Sequence, residues 1–544
     1  MKTPRFSLFL LVIVLLVLAV SCAAVPAQAQ DAPQNSASSQ SAVQPAQVSP
    51  TLQSVAATAT PAPQKTRGTK APKGTPGAKK TPGAKGTPGA QGSQGSQGSQ
   101  DPQAFPTSSY DPVTSAFNLI LGRPTTNSIA ASLFAKSDLQ ITLAYGTAPG
   151  VYSTQTNPIN LKAAVPQTIE LSNLTADTEY YYTILTNGAP STEHSFHTAR
   201  PAGNSFTFTI DADPHNRDPR FSGELYATTL GNVLADQPDF HINLGDTFMT
   251  EKVQARSYAV AESTFTDMRP YFGLLGADVP LFLVNGNHEG ELGWLFTSAQ
   301  DKDLPVWSTQ LRELYYPNPV PNSFYTGASS KDAALGASRD GYYAWKWGDA
   351  QFIVLDPFWY TAPKPSPSDY NNNWNWTLGK EQYDWLKTTL ETSNSKYKFV
   401  FIHNLVGGIN TDGRGGIEAV PNFEWGGKNA DGSYGFDAQR PGWGVPIHQL
   451  FVQNHVNAVF HGHDHVFVKQ ELDGIVYQEC PQPSNTQPDN TNLAAEAGYV
   501  AGDIIPGSGH LRLKVTSAQV TVEFVRAYLP GQQNGQVVYS YTIK

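Results

Sequence analysis

The chain has 544 residues, with 36 lysines and arginines against 45 aspartates and glutamates and a formal net charge of −9. Residues 1–100 contain nine lysines and arginines but one acidic residue, so they carry +8 and the remainder carries −17. The acidic remainder argues against a nucleic-acid backbone as a partner, because phosphates are bound by basic surfaces. Cys22 and Cys480 are the only cysteines, which excludes a disulfide framework and leaves the fold dependent on its core.

Residues 1–29 have the pattern of an export signal. Lys2 and Arg5 precede an apolar run from Phe6 to Val20, which is shorter than the roughly 20 residues that a membrane span needs. Cleavage after Ala29 would release a soluble protein. Alternatively, the sequence LAVSC resembles a lipobox, in which a signal of residues 1–21 is removed and a lipidated Cys22 anchors the chain to a membrane. Both outcomes predict an extracytoplasmic protein, either secreted or held at the cell surface.

Residues 30–105 are predicted to form a disordered, low-complexity linker. They consist mainly of alanine, proline, glutamine, serine, threonine and glycine, and such a composition buries too little apolar surface to order the chain. Glycine occurs at every third position between Gly83 and Gly98, but a collagen triple helix needs longer runs with more proline. A flexible tether is therefore the prediction for this segment.

Residues 106–199 are predicted to form a small all-β sandwich. Short runs of alternating apolar and polar residues, such as LQITLAYGT and EYYYTILTNG, are separated by turn-forming residues, which is typical of this architecture. The sequence LSNLTADTEYYYTI resembles the tyrosine-corner signature of fibronectin type III domains. His194 and His197 have no acidic or histidine partner at ligand spacing, so this part is predicted to be a binding or spacing module.

From residue 200 to residue 544, apolar β-prone runs alternate with helix-like stretches, which predicts an α/β layered domain. Five polar motifs each follow one of these runs, and residues at strand ends can converge on one point. Carboxylate, amide and imidazole groups in this arrangement indicate a metal-dependent hydrolase. The motifs are Asp213-Pro-His215, Gly245-Asp246, Gly286-Asn287-His288-Glu289, His403 and Gly462-His463-Asp464-His465.

With these motifs in this order, the chain resembles the calcineurin-like metallophosphoesterase superfamily. Its domain arrangement is similar to that of purple acid phosphatases, which also place a fibronectin-like domain before the catalytic domain. The resemblance implies an αββα sandwich and two divalent metal ions, with manganese, zinc and iron all open. It also implies that Asp213, His215 and His465 hold one ion, that Asn287, His403 and His463 hold the other, and that Asp246 bridges the two.

Two positions depart from the purple acid phosphatase pattern. Those enzymes have a tyrosine ligand a few residues after the bridging aspartate, whereas Thr247, Phe248 and Met249 follow Asp246 here. They also have a glycine at the position of His215. The resemblance is therefore to the broader superfamily, and we expect neither a tyrosinate ligand nor its charge-transfer colour.

The expected activity is hydrolysis of a small phosphate ester, most simply a monoester, by a hydroxide that two metal ions activate. His288 is not needed as a ligand, and imidazole has a suitable pKa for protonating the leaving group, so His288 is the candidate general acid. A phosphodiesterase or nucleotidase of the same fold stays open, as does a surface adhesin that retains an inactive enzyme domain. The sequence does not indicate the oligomeric state.

Several neighbouring residues have open roles. Asp211 and Asp464 are predicted to orient ligand imidazoles, with capping of strand ends as the alternative. His461 is predicted to be structural. Arg217 is interpreted as a solvated arginine, with a substrate phosphate as the alternative partner. Two long loops, Asp356–Gly379 and Asn422–Asp437, either shape substrate entry or pack over the sheet.

Overall fold

The computed structural model describes residues 116–253, 256–366, 368–529 and 533–543. The predicted export signal, the predicted linker, Cys22 and the first residues of the predicted sandwich lie outside these ranges. None of the helices in the described ranges has the length and apolar character that a bilayer crossing requires. Cys480 is a buried free thiol, in agreement with its interpretation as a small core residue.

The first part of the described chain consists of strands from two sheets, which share a core. Strands β1, β2 and β6 lie in one sheet, and β3, β4, β5, β7, β8 and β9 lie in the other. Inward-facing residues such as Ile129, Leu143 and Tyr182 pack together between them. The strands are β1 (Phe117–Gly122), β2 (Ser128–Ala135), β3 (Leu139–Gly146), β4 (Thr154–Gln155), β5 (Ile159–Leu161), β6 (Gln167–Ser172), β7 (Glu179–Thr186), β8 (Ala189–Pro190) and β9 (His194–His197).

The second part alternates strands with helices, as the sequence predicts. Its strands are β10 (Phe206–Asp211), β11 (Phe240–Asn243), β12 (Leu281–Leu283), β13 (Thr326–Gly327), β14 (Tyr343–Trp347), β15 (Ala350–Val354), β16 (Tyr397–Phe401), β17 (Ala458–His461), β18 (Phe467–Leu472), β19 (Ile475–Glu479), β20 (Asp503–Ile505), β21 (Gly509–Val515), β22 (Val520–Arg526) and β23 (Gln536–Ile543).

Two of the helices begin at residues that satisfy free backbone amides. The Ser222 hydroxyl accepts a hydrogen bond from Leu225 N, and the Ser257 hydroxyl accepts one from Val260 N, as is typical of helix N-caps. The helices are α1 (Gly223–Ala235), α2 (Tyr258–Phe272), α3 (Leu304–Tyr315), α4 (Lys380–Thr392), α5 (Phe423–Gly426), α6 (Phe436–Gln439), α7 (Ile447–Gln453) and α8 (Asn492–Glu496).

Two mixed sheets contribute side chains to the main core. Their strand orders are β23-β22-β21-β10-β11-β12-β1-β2-β6 and β13-β14-β15-β16-β17-β19-β18-β20. Within them, β10, β11 and β12 run parallel, and so do β15, β16, β17 and β19. Aromatic rings from the two sheets meet in this core, for example Phe208 and Phe352, whose centroids are 5.1 Å apart.

Helices cover the other face of each sheet. Tyr226 of α1, Phe265 of α2 and Leu311 of α3 pack with Leu281 of the first sheet. Helices α4, α5 and α7 form an equivalent cluster with the second sheet. The resulting order of layers, helix, sheet, sheet and helix, confirms the predicted α/β layered domain. The structure adds that both sheets are mixed.

The small sandwich is joined to the layered domain through a shared sheet. β1 pairs with β12 in parallel at Gly122 and Leu281. Buried Arg269 of α2 donates hydrogen bonds to Asn118 Oδ1 and to Ser132 Oγ, both at 2.8 Å. The sequence analysis did not predict this junction, because one backbone bridge and one helix arginine leave no local pattern.

Candidate metal centre

The predicted ligands lie at the carboxyl ends of parallel strands, where the two sheets bring separate segments together. Each strand is buried, which explains why it reads as an apolar run before a polar motif. Asp213 and His215 follow β10, Asp246 follows β11, Asn287 and His288 follow β12, His403 follows β16, and His463 and His465 follow β17.

Five of the predicted ligands have backbone φ angles in the left-handed region. The φ angle is 60° at Asp213, 54° at His215, 55° at Asp246, 81° at His463 and 62° at His465. Residues with side chains rarely adopt this conformation, and each instance costs on the order of 1–3 kcal/mol. Such strain is concentrated at functional sites, where the surrounding structure holds side chains in place.

One cluster combines Asp213, His215 and His465, whose ligand atoms lie within 4.8 Å of one another. His215 Nε2 is 3.6 Å from Asp213 Oδ1 and 3.3 Å from Asp246 Oδ2. His465 Nε2 is 3.5 Å from Asp213 Oδ1. These are the three side chains that the resemblance assigned to the first ion.

A second cluster combines Asp246, His403 and His463, again within 4.8 Å. His403 Nε2 is 3.2 Å from Asp246 Oδ2 and 3.2 Å from His463 Nδ1. Asn287 follows the neighbouring strand β12, and its Oδ1 atom is buried. Because Asp246 Oδ2 is close to both His215 and His403, it lies between the two clusters.

The donor atoms are suited to divalent ions. Asp213 Oδ1, both ring nitrogens of His215 and Asn287 Oδ1 are buried and have no hydrogen-bond partner among the described residues. Burying such atoms without a partner is costly, and an ion would supply the missing interaction. Carboxylate, imidazole and amide donors without thiolates suit manganese, zinc or iron.

The carboxylates of the centre favour positive charge on two of the histidines. Burial lowers the pKa of His403, but the charges of Asp246 and Asp213 outweigh it and raise that pKa to about 10. The same carboxylates overcome burial at His215 and raise its pKa to about 9. Burial instead lowers the pKa of His463 and of His465, with further lowering from the neighbouring imidazoles. A bound cation would replace these protons, since metal binding and protonation compete for the same nitrogens.

Backbone carbonyls orient two of the imidazoles. His403 Nδ1 lies 2.9 Å from the Leu244 carbonyl, which directs Nε2 toward Asp246. His463 Nε2 lies 2.8 Å from the Asp412 carbonyl, which directs Nδ1 into the centre. Such partners fix the ring and the tautomer of a metal ligand. The sequence analysis looked for carboxylates in this role and therefore missed both carbonyls.

Glu289 holds two of the ligand loops together. Its buried carboxylate accepts hydrogen bonds from the backbone amides of Asp246 at 3.0 Å, Thr247 at 2.5 Å and Gly286 at 2.5 Å. Burial and the charge of Asp246 raise the pKa of Glu289. The sequence analysis gave this residue no role, and its only signal was its position directly after His288.

His288, the candidate general acid, lies beside the ligands and faces a cleft. Its Nε2 is 3.7 Å from Asp246 Oδ2, and its Nδ1 is 3.5 Å from Glu251 Oε2. The His288 backbone amide donates to Asp246 Oδ1 at 2.8 Å. A proton donor to a leaving group must lie in such a position. Glu251 was not identified from the sequence.

The predicted orienting role of Asp211 and Asp464 is wrong. Asp211 accepts a hydrogen bond from Asn243 Nδ2 at 2.7 Å and pairs with His241 Nε2 at 3.0 Å. Asp464 accepts from Arg414 Nη1 at 3.1 Å. Neither carboxylate contacts a ligand imidazole among the described contacts, because both point away from the centre into buried polar networks.

Two other neighbours behave as expected. His461 Nδ1 lies 2.7 Å from Glu479 Oε2, and both side chains are buried, in agreement with a structural role. Arg217 is partly exposed and pairs with Asp267 of α2. The Arg217 guanidinium group is therefore engaged in an ion pair away from the metal centre.

A cleft of about 340 Å³ opens over the ligands. Loop Asp356–Gly379 contributes Lys364 and Trp376 to its wall, which supports the prediction that this loop shapes entry. Loop Asn422–Asp437 does not line the cleft and instead packs through Phe423 and Trp425 into the helical core. A larger groove of about 730 Å³ lies beside the sandwich and contains none of the predicted ligands.

Facing mixed sheets with imidazole, carboxylate and amide groups at their strand ends define a metal-dependent phosphoric ester hydrolase. Residues 206–467 match the family model described as calcineurin-like phosphoesterase. The chain thus carries a domain of the calcineurin-like phosphoesterase family. A comparison with curated protein sequences returns no match.

Solved structures share the fold. The structure of PhoD has a TM-score of 0.58 at 13% sequence identity, covering 82% of this chain and 91% of that one. The purple acid phosphatase PPD1 from yellow lupin (Lupinus luteus) seeds has a TM-score of 0.50 at 15% identity, covering 79% and 74% respectively. At these identities the likeness concerns the fold alone.

Proposed function

We propose that the chain is an exported phosphomonoesterase that binds two divalent ions and hydrolyses small phosphate esters. The observation that carries this proposal is a set of three overlapping groups of ligand atoms at Asp246, which open on one cleft. Two of these groups contain only predicted ligands, and the third joins His288 to His215 and Asp246. Manganese, zinc and iron are all compatible with the donors. One ion would be held by Asp213, His215 and His465, and the other by Asn287, His403 and His463, with Asp246 shared.

A bound pair of such ions lowers the pKa of water and neutralises charge on a phosphoryl group. The chain itself orients the ligands through the Leu244 and Asp412 carbonyls. His288 delivers a proton to the leaving-group oxygen from the cleft wall. Glu251 Oε2 lies 3.5 Å from His288 Nδ1, so its carboxylate is placed to orient the ring.

We further propose that the protein acts outside the cytoplasm, either secreted or anchored through a lipidated Cys22, with residues 30–105 as a tether. The sandwich is proposed to be a fibronectin type III-like domain preceding a catalytic domain of residues 200–544. Tyr180 supports this assignment, since its hydroxyl accepts a hydrogen bond from Thr175 N at 2.9 Å. A tyrosine corner makes a bond of this kind to the backbone a few residues upstream.

The decisive experiment compares two substrates. The purified chain, loaded with manganese or zinc, is assayed with p-nitrophenyl phosphate and with bis-p-nitrophenyl phosphate. Preference for the monoester supports the proposal, and preference for the diester favours the phosphodiesterase alternative. If neither is hydrolysed and no metal is retained, the adhesin with an inactive enzyme domain becomes the better description.

A further inference from the structure

One cation on the cleft wall differs from the others. Lys364 has no carboxylate partner within the part of the chain that the structure describes, and its side chain is exposed. The remaining three basic side chains of the wall are ion-paired at 3.1–3.5 Å: Arg220 with Asp218, Lys252 with Glu251, and Arg414 with Asp464.

An aromatic wall holds this lysine in place. Lys364 Nζ lies 5.3 Å from the centroid of the Trp294 ring, a distance at which a cation is attracted to the ring face. Trp294 meets Trp376 edge-on, with centroids 5.7 Å apart and an interplanar angle of 85°. Trp376 is only 2% exposed, so Trp294 rests on a fixed support. The Trp294 ring therefore favours placement of the ammonium group at the cleft wall.

The same wall reaches the metal centre. The Phe358 ring lies 6.0 Å from Trp376 and 6.0 Å from the ligand His403. Phe358 and His403 are fully buried, whereas Lys364 and Trp294 line the same cleft as the ligands His463 and His465. A substrate whose phosphoryl group lies at the ligands can therefore extend its remaining atoms into a cleft whose wall carries this unpaired positive charge. The charge of the reacting phosphoryl group is met by the centre itself, which leaves Lys364 to interact with another part of the substrate.

We propose that Lys364, held against Trp294, is a specificity-determining residue for leaving groups that carry a second negative charge, either a phosphate or a carboxylate. The inference rests on the proposed phosphoesterase function and names its substrate class. A single exposed charge gives modest selectivity, roughly two- to fivefold. It is also sensitive to salt, because exposed charges are screened within about 3 Å at 1 M ionic strength.

Calorimetry with two matched phosphonates tests this proposal without turnover. Benzylphosphonate and 4-carboxybenzylphosphonate differ by one carboxylate, and both are titrated into the full, metal-loaded chain. We expect the carboxylated compound to bind roughly two- to fivefold more tightly at low salt. Lys364→Gln removes this difference, Lys364→Glu reverses it, and Lys364→Arg preserves it.

The control is Lys380→Gln. Lys380 is an exposed lysine on α4 that pairs with Asp384 at 2.6 Å and does not line the cleft. This substitution leaves the difference unchanged if Lys364 is responsible. Equal binding of the two phosphonates by the unmodified chain, or an equal loss of both in Lys364→Gln, overturns the proposal. Absence of turnover with any phosphate ester counts instead against the proposed function, since the binding preference is measured independently.

Discussion

Asp246 contacts His215, His403 and His288, and so connects the two ligand clusters. Its Oδ2 lies 3.3 Å from His215 and 3.2 Å from His403, and its Oδ1 accepts the His288 amide. Burial raises the pKa of Asp246, but the surrounding imidazoles outweigh burial and hold that pKa well below its usual range. The Asp246 side chain is therefore negatively charged, and its charge is close to the histidines of both ligand clusters.

Replacing this charge tests the shared role directly. Asp246→Asn keeps the size of the side chain but removes its charge, so we expect loss of bound metal and a decrease in kcat on the order of 10²–10³ or more. Metal content is measured by mass spectrometry on the purified variant. Asp218→Asn is the control, because Asp218 lines the cleft but pairs with Arg220. An Asp246→Asn protein that retained two ions would contradict the bridging role.

His288 allows a sharper kinetic test. Loss of a general acid typically reduces turnover by about 10²–10⁴ when the leaving group needs a proton. We expect His288→Gln to slow alkyl phosphates far more than p-nitrophenyl phosphate, whose leaving group departs without protonation. Metal content should stay unchanged. Equal losses with both substrates would mean that His288 only arranges the site.

At the scale of elements, the turn after β17 depends on a glycine. A Cβ atom at Gly462 would lie 2.6 Å from Asp213 Oδ2 and 2.8 Å from Ala212 Cβ. The next residue, His463, donates its amide to the same Asp213 oxygen at 2.8 Å. The loops after β10 and β17 are thus packed too closely for any side chain at this position.

Two glycine-to-alanine substitutions should have opposite effects on stability. Gly462→Ala is expected to reduce the free energy of unfolding by about 1–3 kcal/mol and to weaken metal binding. Gly231 lies in α1, and a Cβ atom added to it would meet open space, with no neighbouring atom within 4 Å, so Gly231→Ala should increase stability by about 0.5–1 kcal/mol. Urea denaturation measures both. Similar effects of the two substitutions would show that the close approach of the loops is unimportant.

The sequence predicted these elements well where a local pattern exists. β10, β11 and β16 are buried, so each appears as an apolar run, and the ligands follow as polar motifs at their ends. Glu251 and Lys364 were missed because they lie in segments without periodicity, and only the folded chain brings them to the cleft. Asp211 was misassigned for a related reason, since position near a strand end does not determine the direction of a side chain.

At the scale of the whole molecule, a buried arginine joins the sandwich to the layered domain. Arg269 on α2 donates to Asn118 and Ser132, and Tyr182 donates its hydroxyl to the Ala277 carbonyl at 2.5 Å. These buried polar contacts accompany the strand pairing between β1 and β12. We therefore expect the sandwich and the layered domain to unfold in one transition.

Two arginine substitutions test this coupling. Arg269→Gln leaves buried acceptors unpaired, and we expect a loss of about 3 kcal/mol or more in the free energy of unfolding. Arg217→Gln is the control, because Arg217 forms a partly exposed pair with Asp267 on the same helix, and such pairs contribute about 0–1 kcal/mol. Calorimetry on both proteins gives the comparison. Two separate transitions in the unmodified chain would contradict the coupling.

Metal removal should also destabilise the whole molecule. Asp213, Asp246 and Glu289 are buried together. Without metal ions, the positive charge beside these carboxylates comes from protonated histidines. An ion present at 100 to 1,000 times its Kd adds about 2.7–4.1 kcal/mol to stability. We expect a chelator to lower the Tm and added manganese or zinc to restore it. An unchanged Tm would show that the ligands hold no ion.

The distance along the chain between the ligands has a consequence for folding kinetics. Asp213 and His463 contact each other although they are 250 residues apart in sequence, and contacts between such distant segments tend to form slowly because a long loop must close first. Tight metal uptake therefore requires both mixed sheets to be assembled. The rate at which metal is captured during refolding would report the completion of the native topology, after most secondary structure has appeared.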